Sequence, residues 1–284
     1  MIGGPDGAIW FTEAEGDAIG RLDPTTGKVV EFKLQAGSWP SGIAVGPDAA
    51  IWFTEMKGSR IGRITIDGSI KEYPLAAGRA PVRIVTGPDG ALWFTEFRAA
   101  RIGRITTDGA ITEIEIGGEN SQPFGIAADP SLVWFTLVNT DQIGSIDGNG
   151  KQTLYSIPTP GSSPSGIVVD KAGTVWFTEQ ESSRIGRLLP SGKMKDFEIP
   201  TPYGYPYEIA LAPDGSLWFS EYYRHRLGHL LPDGTMTDFG LTYEDARPAG
   251  VWVDADGSLW FTEYIANSIG HYPGARKHPV KKSR

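Results

Sequence analysis

The chain has 284 residues, 40% of them hydrophobic, with 37 Gly, 21 Pro, no Cys and a formal net charge of −8. The lack of cysteine excludes a disulfide framework, a thiolate nucleophile and Cys-ligated zinc, and the acidic balance excludes a nucleic-acid partner, which calls for clustered Lys and Arg. No apolar run approaches the roughly 20 residues of a membrane-spanning helix, so a soluble chain without a membrane partner is expected, with cytoplasm and secretion both open.

In chain order, the first signal is the turn GPDG at 4–7, followed by the strand IWFTE at 9–13 and the segment AIGR at 18–21. The same order returns with the apolar run GIAV at 42–45, the turn GPDA at 46–49 and IWFTE at 51–55. It continues through GPDG at 87–90, TTDG at 106–109 and the alternating ITEIEI at 111–116. Later copies carry GIVV at 166–169, MKDFEI at 194–199 and LPDG at 231–234. Period-2 alternation bounded by Asp-Gly and Pro turns marks strands and hairpins, and no window shows a helical period. Each unit therefore reads as four antiparallel strands, A to D.

The Trp of the [IVL]-W-F-[TS] strand recurs at Trp10, Trp52, Trp93, Trp134, Trp176, Trp218 and Trp260, in steps of 41 or 42 residues. Seven four-stranded units of that length predict an all-β fold, a seven-bladed β-propeller of antiparallel blades. One domain spans 1–274, and each Trp packs between blades. The Arg after each Ile-Gly pair (Arg21, Arg63, Arg104, Arg187) is expected on strand C, solvated or salt-bridged, with His229 and His271 as its substitutes. The seam is expected to be incomplete. Aligning GPDG with GPDA sets Met1 opposite Ile43, inside strand A, and after SIGH at 268–271 the last blade has no strand D candidate. An upstream segment of about one strand plus a connection is the expected complement. The basic tail 275–284, with five Lys/Arg, reads as a disordered, solvated end. A ring that buries its own core makes a monomer the default.

In such a blade the B–C links and D–A connections share one face, where strand A borders the central channel; a ligand funnel is expected there. Two residue rings meet on it. The first is the Glu closing strand B: Glu13, Glu55, Glu96, Glu179, Glu221 and Glu263, with Leu137 breaking the series. Two such carboxylates, Glu221 and Glu263, are candidate ligands for a hard cation such as Mg²⁺, against a structural role in salt bridges to strand C. The second ring follows the Pro that opens strand A: Ser41, Val82, Phe124, Ser165, Tyr207 and Ala249. Aromatics gather around it, and Tyr205, Tyr207, Tyr222, Arg247 and Tyr264 are the candidate substrate contacts for a small-molecule or peptide-like ligand. Of four His, only His225, in the link EYYRHR, falls on this face; it is the candidate base.

The motifs P-x-G-I, GPDG-x-[IL]-WFTE, x5-IGRI and TxDG-x-ITE[FY] over all seven repeats closely resemble the virginiamycin B lyase family, propellers that inactivate type B streptogramins. The resemblance implies a Mg²⁺-assisted carbon–oxygen lyase that opens the ester of a cyclic depsipeptide by elimination, with His as acid or base. The family's histidines follow the Pro opening strand A in the last two blades. Here those positions are Tyr207 and Ala249, Arg247 replaces a metal carboxylate, and Glu263 alone matches. Two alternatives stand beside it: a non-catalytic propeller binding a glycan, peptide or macrocycle, and a metal-dependent lactonase using the acidic ring. Ser41 and Ser165 lack any motif that would make them nucleophiles, which leaves hydrolase readings without support.

Overall fold

The computed structural model describes residues 1–243 and 245–273; the basic tail 275–284 lies outside them. Seven antiparallel sheets follow one another, each with its strands in sequence order. Six have four strands, and the seventh has three among the described residues. Strand A of blade 1 is the two-residue Ile2–Gly3, against six residues at Pro40–Val45 in blade 2. The incomplete seam is thus a feature of the described ring. Ile9, Phe11, Leu22 and Trp260 join blades 1 and 7 there in one buried cluster. The only helical element described is one 3₁₀ turn, Val138–Thr140, in the blade whose strand B ends on Leu137.

Each letter of the repeated Trp-Phe-Thr-Glu has its own task. The Trp packs into the neighbouring blade: Trp52 shares a core with Ile84, Leu92 and Phe94 of blade 3. The Phe lies flat on the Gly of Ile-Gly-Arg, which is why that position carries no side chain. A Cβ at Gly103 would fall 2.1 Å from the Phe94 ring. The Thr joins adjacent blades: Thr54 accepts the Gly42 N–H at 2.8 Å and donates to the Val82 carbonyl of the next blade at 2.9 Å. The same donor bond recurs from Thr12, Thr95, Thr136 and Thr178. The Glu is fully buried at Glu55, Glu96, Glu179 and Glu221.

The Asp of the A–B turn ties two distant features together. Asp89 accepts from Trp93 Nε1 at 2.9 Å and from Arg104 Nε at 2.6 Å; Asp6 and Asp48 do the same. The Arg slot is therefore salt-bridged in these blades. In blades 6 and 7 the slot is filled by His229 and His271, stacked on Trp218 and Trp260 at 4.0 Å. Replacing Asp89 with alanine strands a buried indole N–H, a loss of about 1–3 kcal/mol. Urea unfolding of the variant measures it.

Candidate functional site

The start of strand A carries a β-bulge in blades 2 to 7, between the opening Pro and the third residue after it. A bulge re-aims side chains, and here it does so around the channel. A cavity of about 1150 Å³ opens on this face and runs from the channel to the seam between blades 7 and 1. It is somewhat larger than the usual range for drug-sized ligands.

Tyr207, Tyr222, Tyr264, Glu263 and Ala249 all line this cavity. The two positions that the resemblance assigns to histidine and the one matching carboxylate thus converge. The remaining predicted residues stand apart from the lining. Tyr205 packs edge-on against Tyr223, which does line it, at 5.1 Å. His225 takes the left-handed conformation of its B–C link (φ 55°), so its ring meets the next D–A connection instead. Its Nδ1 accepts the Arg247 N–H at 3.3 Å, and its Nε2 lies 3.9 Å from Asp245. The Arg247 carbonyl in turn accepts the Tyr264 N–H at 3.2 Å.

Glu13 and Glu263 of the acidic ring line the cavity, and the other four are turned inward. Glu55, Glu96, Glu179 and Glu221 are 0% exposed. Glu55 pairs with Arg60 at 2.6 Å and Glu96 with Arg79 at 3.3 Å, a structural role for both. Burial pushes the Glu96, Glu179 and Glu221 carboxyls up to about 7. Glu263 accepts the Ser268 hydroxyl at 2.5 Å. A hard cation needs several converging oxygens, and among the described residues no group of three His, Asp or Glu is disposed to hold one. Glu221, closed inside its blade and away from the cavity lining, and Glu263, committed to Ser268, do not fit Mg²⁺.

Two residues absent from the predicted site occupy its centre. Arg83 of blade 3 and Glu208 of blade 6 pair across the channel, Nη2 to Oε2, at 2.5 Å, each side chain about one-fifth exposed. Aromatic rings run past them as a chain. Tyr222 touches Tyr223 at 4.9 Å and Tyr207 at 5.6 Å; Tyr207 reaches Phe124 at 5.5 Å, and Phe124 reaches Phe97 at 6.2 Å. The Arg83 guanidinium lies 4.9 Å from the Phe124 ring centre and 5.8 Å from that of Tyr207, within cation–π range. Burial raises the Tyr207 phenol above its ordinary pKa, so it stays a neutral donor. At the seam the Tyr264 hydroxyl donates to Glu15 at 2.5 Å, and that bond pushes its pKa up to about 12.

Comparison with known proteins bears on the whole ring. The virginiamycin B lyase family matches over residues 1–215 and 131–277. Virginiamycin B lyase from Staphylococcus aureus, in selenomethionine form, is 34% identical, with 94% of this chain and 91% of that one covered and a TM-score of 0.90. A streptogramin B lyase structure is 32% identical over 95% and 91%, also at 0.90. A catalytically inactive His-to-Ala virginiamycin B lyase from S. aureus, in a structure with quinupristin, is 35% identical over 94% and 91%, again at 0.90. No curated protein sequence matches.

Proposed function

The chain belongs to the virginiamycin B lyase family, and from that premise we propose that its channel cavity receives a cyclic depsipeptide and opens the ring by eliminating the ester carbon–oxygen bond. The observation that carries this reading is the convergence of Tyr207, Ala249 and Glu263 on one cavity wide enough for a macrocycle. The chemistry needs a base beside the substrate and a donor for the developing enolate. Histidine and Mg²⁺ are not the groups in question here. His225 is engaged by Arg247 outside the cavity, and among the described residues the carboxylates do not assemble a cation site.

A second reading, binding without turnover, is favoured by one observation: among the described residues that line the cavity there is no histidine. Both readings require the ligand to lie against the aromatic chain. Quinupristin is the natural probe, followed by the change it causes in tyrosine and tryptophan fluorescence. Tyr222→Ala removes the ring linking Tyr207 to Tyr223 and is expected to weaken binding about tenfold, the scale of one aromatic contact. Unchanged affinity would place the ligand elsewhere.

A further inference from the structure

The second residue after the Pro of strand A is Gly42, Gly125, Gly166 and Gly250 in blades 2, 4, 5 and 7. In blades 2, 4 and 5 the reason is steric. A Cβ at Gly42 would lie 2.6 Å from the Val82 carbonyl, and one at Gly125 would lie 2.1 Å from that of Ser165. In blades 3 and 6 the position holds Arg83 and Glu208 instead, and the backbone hydrogen bond is kept. Their N–H groups still donate to Thr95 and Ser220 at 3.1 Å, as that of Gly42 does to Thr54. The two side chains are of opposite charge.

These side chains come from blades three apart and 125 residues apart in sequence, and they meet at 2.5 Å inside the ligand cavity. A partly desolvated ion pair gives little net stability, and titratable groups gathered in a cleft mark a reaction centre. Phe124 and Tyr207 flank the guanidinium and hold water off it.

We propose that Glu208 is the base and Arg83 the oxyanion-holding group of the elimination, an assignment that rests on the lyase activity proposed above. The Glu208 carboxylate takes the proton from Cα of the residue whose Cβ carries the ester oxygen, the carbon α to that residue's own amide carbonyl. That C–H electron pair forms the Cα=Cβ bond, and the Cβ–O bond to the ring ester breaks. The ester oxygen departs as a carboxylate, and Glu208 passes its proton to water. Arg83, released from Glu208 as the carboxyl protonates, donates to the carbonyl oxygen while it carries enolate charge. No water is added, and nothing is oxidised or reduced.

The test uses quinupristin with the full chain, Glu208→Gln, Arg83→Gln and the double variant, whose two amides can keep a neutral hydrogen bond. Binding is read by fluorescence, ring opening by mass and folding by melting. Glu208→Gln is expected to lose turnover by about 10²-fold or more, while binding stays within about threefold (~0.65 kcal/mol). Arg83→Gln is expected to lose about 10²–10³-fold. A parent protein that turns over while Glu208→Gln, or the double variant if the single one unfolds, keeps its rate within tenfold overturns this assignment alone. A parent that binds and never opens the ring overturns the lyase reading and this assignment with it.

Discussion

Alanine at Gly103 is expected to cost about 3 kcal/mol or more, the upper end for overpacking a core. The new methyl would stand 2.1 Å from Cε2 and Cζ of Phe94, and Phe94 is 0% exposed, with no space to retreat into. The arrangement repeats around the ring, with Gly20 on Phe11, Gly62 on Phe53 and Gly186 on Phe177 at the same distance. Gly90 is the control. It sits in an Asp-Gly turn at φ 71° with nothing within 4 Å of a built Cβ, so alanine there costs only the left-handed backbone penalty of about 1 kcal/mol. Urea unfolding of the two variants should separate them by about 2 kcal/mol. Equal losses would mean that the Ile-Gly-Arg glycine is there for backbone freedom and not for the ring that lies on it.

The second large effect is a stability that rises on mild acidification. Burial holds the Glu96, Glu179 and Glu221 carboxyls at about 7, whereas unfolded Glu titrates near about 4.3. Between those values the folded state binds more protons than the unfolded one, so stability falls as pH rises through the window. The contribution is fully present below about 4.3 and lost above about 7. The span from about 4.3 to about 7 sets a ceiling of about 4 kcal/mol for each carboxyl. Asp48, Asp89 and Asp129 act in the opposite sense. Burial pushes them up, but the bonds from Trp52, Trp93 and Trp134 together with those from Arg63, Arg104, Ser131 and nearby backbone N–H groups outweigh it and lower them. Their contribution is present above the unfolded Asp value near about 3.9 and disappears in stronger acid. The urea midpoint is therefore expected to climb from pH 8 to about pH 5 and then drop. Glu221→Gln should raise it at pH 8 and flatten the slope. A midpoint that climbs from pH 5 to pH 7 would contradict these buried carboxyls.

The blade count was legible because the Trp spacing equals the length of one four-stranded blade, and turn chemistry then set the strand boundaries. The interblade role of Trp10 or Trp52 followed from size alone. The role of Thr54 did not, since a hydroxyl that bridges to the Val82 carbonyl of the next blade leaves no mark on hydropathy. The site divided along the same line. Tyr207, Tyr222, Tyr264 and Glu263 were found by their place at strand ends. Glu221 and His225 were placed on the correct face but with no sense of direction. Side-chain alternation turns one into its blade, and a left-handed link turns the other toward Arg247.

Arg83 and Glu208 escaped notice although a signal was present. The Gly of Pro-x-Gly is broken twice in six blades, once by each sign of charge. The variable Ser41–Ala249 ring one residue earlier masks it, and only ring closure reveals that blades 3 and 6 face each other.

The most direct measurement is the mass of quinupristin after incubation with the purified protein. The account predicts a ring-opened product of unchanged mass, formed at the same rate in chelator as in Mg²⁺. Intact quinupristin with a protein that melts cooperatively would contradict it, and so would a product heavier by one water.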